Sequence, residues 1–309
     1  MAQQLRFGLH ILPLSPNVRG ALLMTGAMAS FTINDTFLKL LGADLPLFQI
    51  LFLRSVGVVV LLGALAVYTG AFRFPSSSPD RWLILIRSVA EAAAAWFFIT
   101  ALFNMPIANV SAILQALPLT VTLAAAIFLK EPVGWRRFLA IGVGFVGVTL
   151  IVRPGAEGFT VDSLLAVASV LCVTVRDLTA RQLSPEVPTM TVALGTAVIV
   201  GVFAGVGSLF VDWAPVTPKH WNYLSAAILM VLCGYIFSVM AMRVGEIGAV
   251  APFRYASLIV ALVAGYFVFG DWPDGVTMIG AAIVVATGLF TLWRERSIRR
   301  RAPVPLRIR

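Results

Sequence analysis

Ten apolar stretches of roughly bilayer-spanning length follow one another along the chain, separated only by short polar punctuation. Hydropathy and helix breakers place them at 20–41, 46–69, 82–103, 106–129, 135–152, 160–182, 188–210, 220–242, 248–269 and 275–293. The links carry turn chemistry: Gly42-Ala43-Asp44, Pro75 to Pro79, Arg153-Pro154-Gly155, Ser184-Pro185 and Asp271 to Gly275. The pattern predicts an all-α integral membrane protein of ten transmembrane helices, with no room for a second, soluble domain.

Polar positions inside these stretches recur. Asn34-Asp35-Thr36-Phe37-Leu38-Lys39 sets an acid and a base one helical turn apart, and Arg176-Asp177-Leu178-Thr179-Ala180-Arg181 repeats Asp-x-x-x-base 142 residues later. The same offset matches Pro46 with Pro188. Further on the offset becomes 140, pairing Phe97 with Phe237, Ala101 with Ala241, Ile107 with Ile247, Val110 with Val250 and Glu131 with Asp271. Five spans per half is an odd number, so the second half enters the membrane upside down. Inverted repeats with a site at their interface near the midplane are a transporter architecture. The expected divisions are a cytoplasmic tail at 1–19, a first repeat at 20–152, a second at 160–293 and a basic tail at 294–309.

Composition agrees. Hydrophobic residues make up 60% and charged residues 12%, against about 45–50% and about 25% in soluble domains, so the bilayer is the solvent. The net charge of +9 points to no nucleic acid, because seven arginines crowd between Arg294 and Arg309 and no folded basic face is available. With the N-terminus in the cytoplasm, 16 Lys and Arg fall inside against Arg153 and Lys219 outside, so both termini are expected to be cytoplasmic. Five bases remain within spans (Lys39, Arg54, Arg87, Arg176 and Arg254) against the acids Asp35, Glu91 and Asp177, an excess of two positive charges. Cys172 and Cys233 both fall in spans and read as small buried hydrophobes rather than a disulfide or metal pair.

These features resemble the drug/metabolite transporter superfamily, and its EamA family in particular. The resemblance rests on ten spans as two five-helix repeats, on Phe128-Leu129-Lys130-Glu131-Pro132 closing an apolar helix, and on the glycine-rich helix Gly142 to Val148. Pro106-Ile107-Ala108-Asn109-Val110, with Glu246 to Val250 as its repeat partner, adds to it. The resemblance covers about residues 20–293. It implies alternating-access transport of a small metabolite through a central cavity lined by helices other than the fifth and tenth. Asp271-Trp272 stands where the first half has Glu131-Pro132, a departure that bears on the local turn.

Charges in hydrocarbon are costly unless paired or hydrated, so each intramembrane one is a candidate. Spacing of i and i+4 puts Asp35 with Lys39, Arg87 with Glu91, and Asp177 with Arg181 on single helix faces. They are read either as self-neutralised pairs, with Arg181 snorkelling to the surface, or as an outer and an inner mouth that exchange partners during transport. Arg54 and Arg254 have no acid within a turn; each is expected to face a cavity, an acid on another helix such as Glu91, or a substrate anion. Gln115, near Pro118, and Tyr255 are expected to supply hydrogen bonds at kinked centres. Trp96, Phe97 and Phe98 stack on an aromatic substrate or simply pack. Gly142, Gly144 and Gly147, with Ala282 and Ala286, allow close helix approach, in a scaffold or at a dimer seam.

The sequence carries no His or Cys metal spacing, no Walker loop and no Gly-x-Ser-x-Gly, so no cofactor and no enzyme is expected, with a channel or membrane scaffold as the remote alternative. The expected function is secondary active transport of a small polar metabolite across the inner membrane, favouring an amino acid or other carboxylate-bearing solute. A vitamin or nucleoside-like solute such as riboflavin or S-adenosylmethionine is the alternative that the resemblance allows. The expected partners are substrate, lipid bilayer and a coupling proton or exchange solute, for a monomer or homodimer.

Overall fold

The computed structural model describes residues 15–70, 77–131, 133–153 and 160–301, which are helical throughout apart from short turns, with no strand among them. Residues 1–14, the first part of the Pro75 to Pro79 link, Pro132, Pro154-Gly155 and residues 302–309 lie outside the described residues, with the expectations placed on them. The helices are α1 (Pro16–Leu41), α2 (Leu47–Thr69), α3 (Ser78–Asn104), α4 (Ile107–Leu114), α5 (Leu117–Phe128), α6 (Trp135–Val152), α7 (Val161–Gln182), α8 (Thr189–Ser208) and α9 (Pro218–Val244). The ninth span is built from α10 (Ile247–Val250), a 3-10 turn (Ala251–Tyr255), α11 (Ala256–Ala264) and a π-helical turn (Gly265–Phe269); α12 (Gly275–Arg301) is the tenth.

All ten expected spans are present, and α4 and α5 together make the fourth. Among the described residues nine are long and apolar enough to cross a membrane on those grounds alone. The span outside that set is the first, α1, whose polar Asn34, Asp35 and Lys39 sit in its last two turns. The ends shift as helix chemistry dictates. Ser15 caps α1, accepting from Val18 N–H, and Pro16 follows it at the first helical position, so the helix starts earlier than residue 20. Beyond residue 293, α12 continues into the basic segment.

Packing reveals the repeat. α1 lies along α9, and the repeat-related pair α7 and α3 lies together in the same way. α2 packs on α8, α4 on α11 and α6 on α12, each pair joining a span to its own counterpart. Local hydrogen bonds repeat as well. Ile50 N–H donates to Pro46 O and Val192 N–H to Pro188 O, while Met105 N–H donates to Ala101 O and Gly245 N–H to Ala241 O. The turn in question is preserved despite its different residues. Lys130 (φ 54°) and Gly270 (φ 69°) are both left-handed, and Glu131 N–H reaches Ala125 O as Asp271 N–H reaches Gly265 O.

The two halves are joined by a seam that glycine makes possible. A Cβ on Gly147 would stand 2.8 Å from Gly280 O, and one on Gly280 would stand 2.7 Å from Gly147 O. Backbone therefore touches backbone between α6 and α12, as small residues permit in lipid. Gly144 opens onto Leu119 and Thr287 in the same seam. Gly142 has open space beside it, and Ala282 and Ala286 are exposed, so these three do not form the close approach expected of them. Gly280, Ala281, Val284 and Gly288 occupy the packed face of α12 instead.

Candidate functional site

The polar residues of α1, α2, α3, α7, α8 and α9 converge on one cluster at the centre of the bundle. Glu91, midway along α3, accepts from Arg176 Nη1 on α7 at 2.8 Å. The same guanidinium reaches Asp177, its sequence neighbour, from Nε and Nη2, each at 2.8 Å. One arginine thus holds two carboxylates, which stay 21% and 30% exposed. Arg87 does not pair directly with Glu91 as the helical spacing suggests. Its Nη1 donates to Thr196 Oγ1 on α8 at 2.8 Å, and Ser88 Oγ lies 3.0 Å from the same hydroxyl. Its charge still acts on Glu91 through space.

Asp35 and Arg54 complete the cluster without closing on each other. Asn34 Nδ2 donates to Asp35 Oδ1 at 2.9 Å. Neither Asp35 nor Arg54 makes an ion pair with any described residue, and Arg54 Nε is buried without a hydrogen-bond partner. Arg54 nevertheless acts electrostatically on both Asp35 and Glu91, so both acids are within reach of its charge. Tyr235 on α9 feels Glu91, Arg176, Arg54 and Arg87 together, keeps 47% of its surface open and sets its ring edge-on to Phe31 at 5.4 Å.

The two remaining i, i+4 pairs are not formed, because each base reaches across the bundle. Lys39 Nζ donates to Met105 O, stands 5.1 Å over the Phe269 ring and feels the charge of Asp271. Arg181 Nη1 lies 3.4 Å from Glu131 Oε1. Glu131 and Asp271 are repeat partners, so each base addresses the turn that closes the other half's fourth span, Arg181 by an ion pair and Lys39 through space and the Phe269 ring. Inversion puts those contacts at opposite ends of the molecule.

Gln115 behaves as expected at the break between α4 and α5, but its partner is Ser257, reached by Nε2 at 2.7 Å. Tyr255 turns away from the centre. Its hydroxyl occupies the space a side chain at Gly288 would need, and it has no hydrogen-bond partner among the described residues. Arg254 is exposed and acts on Tyr255 rather than on the cluster. Trp96 packs on Phe97 at 4.9 Å. Cys172 and Cys233 are free and partly buried. A shallow groove of about 250 Å³, lined by Gly134, Trp135, Arg136, Arg137 and Arg294, lies at the Trp135 end of α6, apart from the cluster residues.

Placing Lys39 at one end and Arg254 outside the cluster revises the charge balance. The centre holds Arg54, Arg87 and Arg176 against Asp35, Glu91 and Asp177, three of each sign, so the excess of two positive charges does not reach it. Sequence reasoning missed Tyr235, Ser257 and the hydroxyl role of Thr196. Thr196 carries a detectable signal, as the repeat partner of Arg54, whereas Tyr235 sits in an unbroken apolar run and carries none.

Two interlocked, inverted five-span repeats around a half-paired charged centre define a multi-pass membrane transport protein. The chain belongs to the EamA-like transporter family, whose model matches residues 18–153 and 162–293. It is similar to the S-adenosylmethionine uptake transporter of Rickettsia conorii, at 24% identity over 89% of this chain and 92% of the relative. The riboflavin transporter of Vibrio cholerae is 30% identical over 64% of this chain and 67% of its own. The pseudopaline exporter CntI of Pseudomonas aeruginosa (strain UCBPP-PA14) is 26% identical over 86% and 93%. One solved crystal structure, 17% identical, aligns with a TM-score of 0.62 over 92% of this chain and 99% of that one, which shows the fold alone. The family and these relatives are transporters of small molecules, not enzymes.

Proposed function

We propose that this protein moves a small carboxylate-bearing metabolite across the inner membrane by alternating access, with both termini in the cytoplasm and Arg54 as the anchor for the carboxylate. The unpaired state of Arg54 carries the proposal. A guanidinium cannot shed its proton in a low-dielectric interior, and an arginine left with a buried, unpartnered Nε retains unmet capacity for an anion. Relatives named for S-adenosylmethionine and for pseudopaline support a solute of this class. The contacts of Lys39 and of Arg181 at opposite ends are suited to open in alternation, one closing each mouth of the pathway.

Uptake and counterflow in proteoliposomes, with labelled amino acids, S-adenosylmethionine and riboflavin, test this. A carboxylate-bearing member is expected to saturate. Arg54→Lys keeps the charge but loses the planar fork, and loss of a charge-assisted hydrogen bond of about 1.5–3 kcal/mol weakens affinity about ten- to a hundredfold. Melting in detergent should be unchanged. Undiminished affinity in Arg54→Met ends the anchor role. A second reading, a flat aromatic solute of the riboflavin kind, is favoured by the Phe31–Tyr235 pair beside the charges. Saturable riboflavin uptake, equal in the wild type and in Arg54→Met, selects it.

A further inference from the structure

Asn34 and Asp35 together present more acceptors than the protein satisfies. A carboxylate only accepts, so the Asn34 amide must turn its NH2 toward Asp35, as the 2.9 Å contact requires, and its carbonyl away. That carbonyl oxygen is buried and has no partner among the described residues, on a residue only 3% exposed. An unmet buried acceptor is destabilising, because it has given up its hydrogen bonds to water without replacement. A second acceptor, the Asp35 carboxyl, lies beside it without an ion pair to any described residue. The fitting complement is a small cation with several donors.

The second repeat indicates how such a cation would sit. Where the first repeat has Asn34, the second has Arg176, which supplies Asp177 with its counterion from the neighbouring position. Asp35 lacks this built-in cation, and Arg54 acts on it without pairing. A pole of each sign therefore remains open in a centre whose formal charges are already balanced. An anionic ligand would unbalance that centre, whereas a ligand carrying both charges completes both poles.

We infer that Asn34 and Asp35 receive the ammonium group of the ligand while Arg54 receives its carboxylate, so that the site recognises an α-amino-acid zwitterion. This rests on the transport function proposed above and assigns to Asp35 and Asn34 a pole that it leaves open. The test is equilibrium binding to the purified full-length protein in nanodiscs, with L-methionine and S-adenosylmethionine and their N-acetyl and carboxamide derivatives as probes. The wild type should lose about tenfold or more in affinity on blocking either group, the effect of one charged hydrogen bond. Asp35→Asn should bind the parent compounds correspondingly more weakly and become indifferent to N-acetylation, while still rejecting the carboxamides. Arg54→Met should show the converse.

A merely structural role for Asp35 would not produce that crossed pattern. Asn34→Leu, which removes the orphan carbonyl but keeps the acid, should lower amine discrimination severalfold and serves if Asp35→Asn does not fold. Amine discrimination that persists in Asp35→Asn or is untouched in Asn34→Leu overturns the ammonium site while leaving Arg54 as an anchor. So does an Asp35→Asn protein that binds normally and loses only proton-driven accumulation. If the wild type binds no parent probe but transports another carboxylate, this inference alone fails. If it transports no carboxylate, both fail.

Discussion

Asp35 and Asp177 occupy the same place in the two repeats, yet their surroundings differ. Asp177 is met by Arg176 from the adjacent position and shares that guanidinium with Glu91. Among the described residues, Asp35 is met only by the amide of Asn34. The same asymmetry recurs on the paired spans α2 and α8, where Thr196 accepts a hydrogen bond from Arg87 while its counterpart Arg54 has a buried Nε with no partner among the described residues. The scaffold, by contrast, keeps matching hydrogen bonds at corresponding span ends in both halves. Repetition is thus kept where helices must pack and broken where charge is left available, which separates structural residues from candidate binding residues without reference to conservation.

The largest effect should come from the neutralised side. Arg176→Met removes the one cation that touches both Glu91 and Asp177. Stranding a buried charge costs about 3–5 kcal/mol; with these carboxylates a fifth to a third exposed, the lower end of that range is expected, read as a lower melting temperature in detergent. Adding Glu91→Gln should recover part of it. Asp177→Asn is milder, because Arg176 keeps Glu91. It should cost about 1 kcal/mol and leave substrate affinity within about threefold, whereas Asp35→Asn costs affinity and little stability. Equal losses of affinity at the two aspartates would remove the distinction between them.

The symmetric seam should respond symmetrically. Gly147→Val and Gly280→Val each force a side chain against the opposite backbone, and overpacking typically costs about 1–3 kcal/mol. The reciprocal contacts at 2.8 and 2.7 Å make the two losses comparable. Gly142→Ala meets nothing within contact distance, so helix propensity alone decides and should stabilise by about 0.5–1 kcal/mol. Differential scanning fluorimetry on the three variants distinguishes these outcomes.

Much of this was legible in the chain itself. Span length, turn residues and the 142 and 140 offsets gave the ten helices, the inverted repeat and the break at Gln115, because bilayer thickness and backbone satisfaction constrain sequence strongly. Arg54 stood out because no acid lies within a helical turn of it. The pairing of charges was not legible. Helical spacing favours Asp35 with Lys39 and Asp177 with Arg181, but an i, i+4 contact is worth only about 0.2–0.5 kcal/mol. Partners on other helices therefore decide, and Met105 and Phe269 capture Lys39 while Glu131 captures Arg181. Tyr255 likewise follows the groove above Gly288, which only packing creates.

The smallest effect concerns the links, where the halves tie themselves differently. The link after α7 meets the start of α3 when Ser184 N–H and Oγ both donate to Asp80 at 3.1 Å, on a carboxylate that is 4% exposed. The corresponding link after α1 meets the start of α9 through Asp44 and His220, 3.1 Å apart. Here the imidazole tautomer follows from its second contact. Nδ1 accepts from Thr217 N–H at 3.2 Å, so Nε2 carries the proton and donates to Asp44 Oδ2. That hydrogen bond, aided by the nearby Lys219, holds the Asp44 carboxyl below its ordinary range. A carboxylate depressed on folding contributes stability above its unfolded pKa of about 4, and that contribution is lost as pH falls through the folded value. Asp44→Asn keeps an acceptor for Nε2 but cannot titrate. Melting at neutral pH should barely move, since the group is exposed, and the decline below about pH 4 should become shallower than in the wild type. An unchanged acid limb in Asp44→Asn would mean that this tie carries no pH-dependent stability, leaving the link at Asp44 with no more titratable character than a neutral turn.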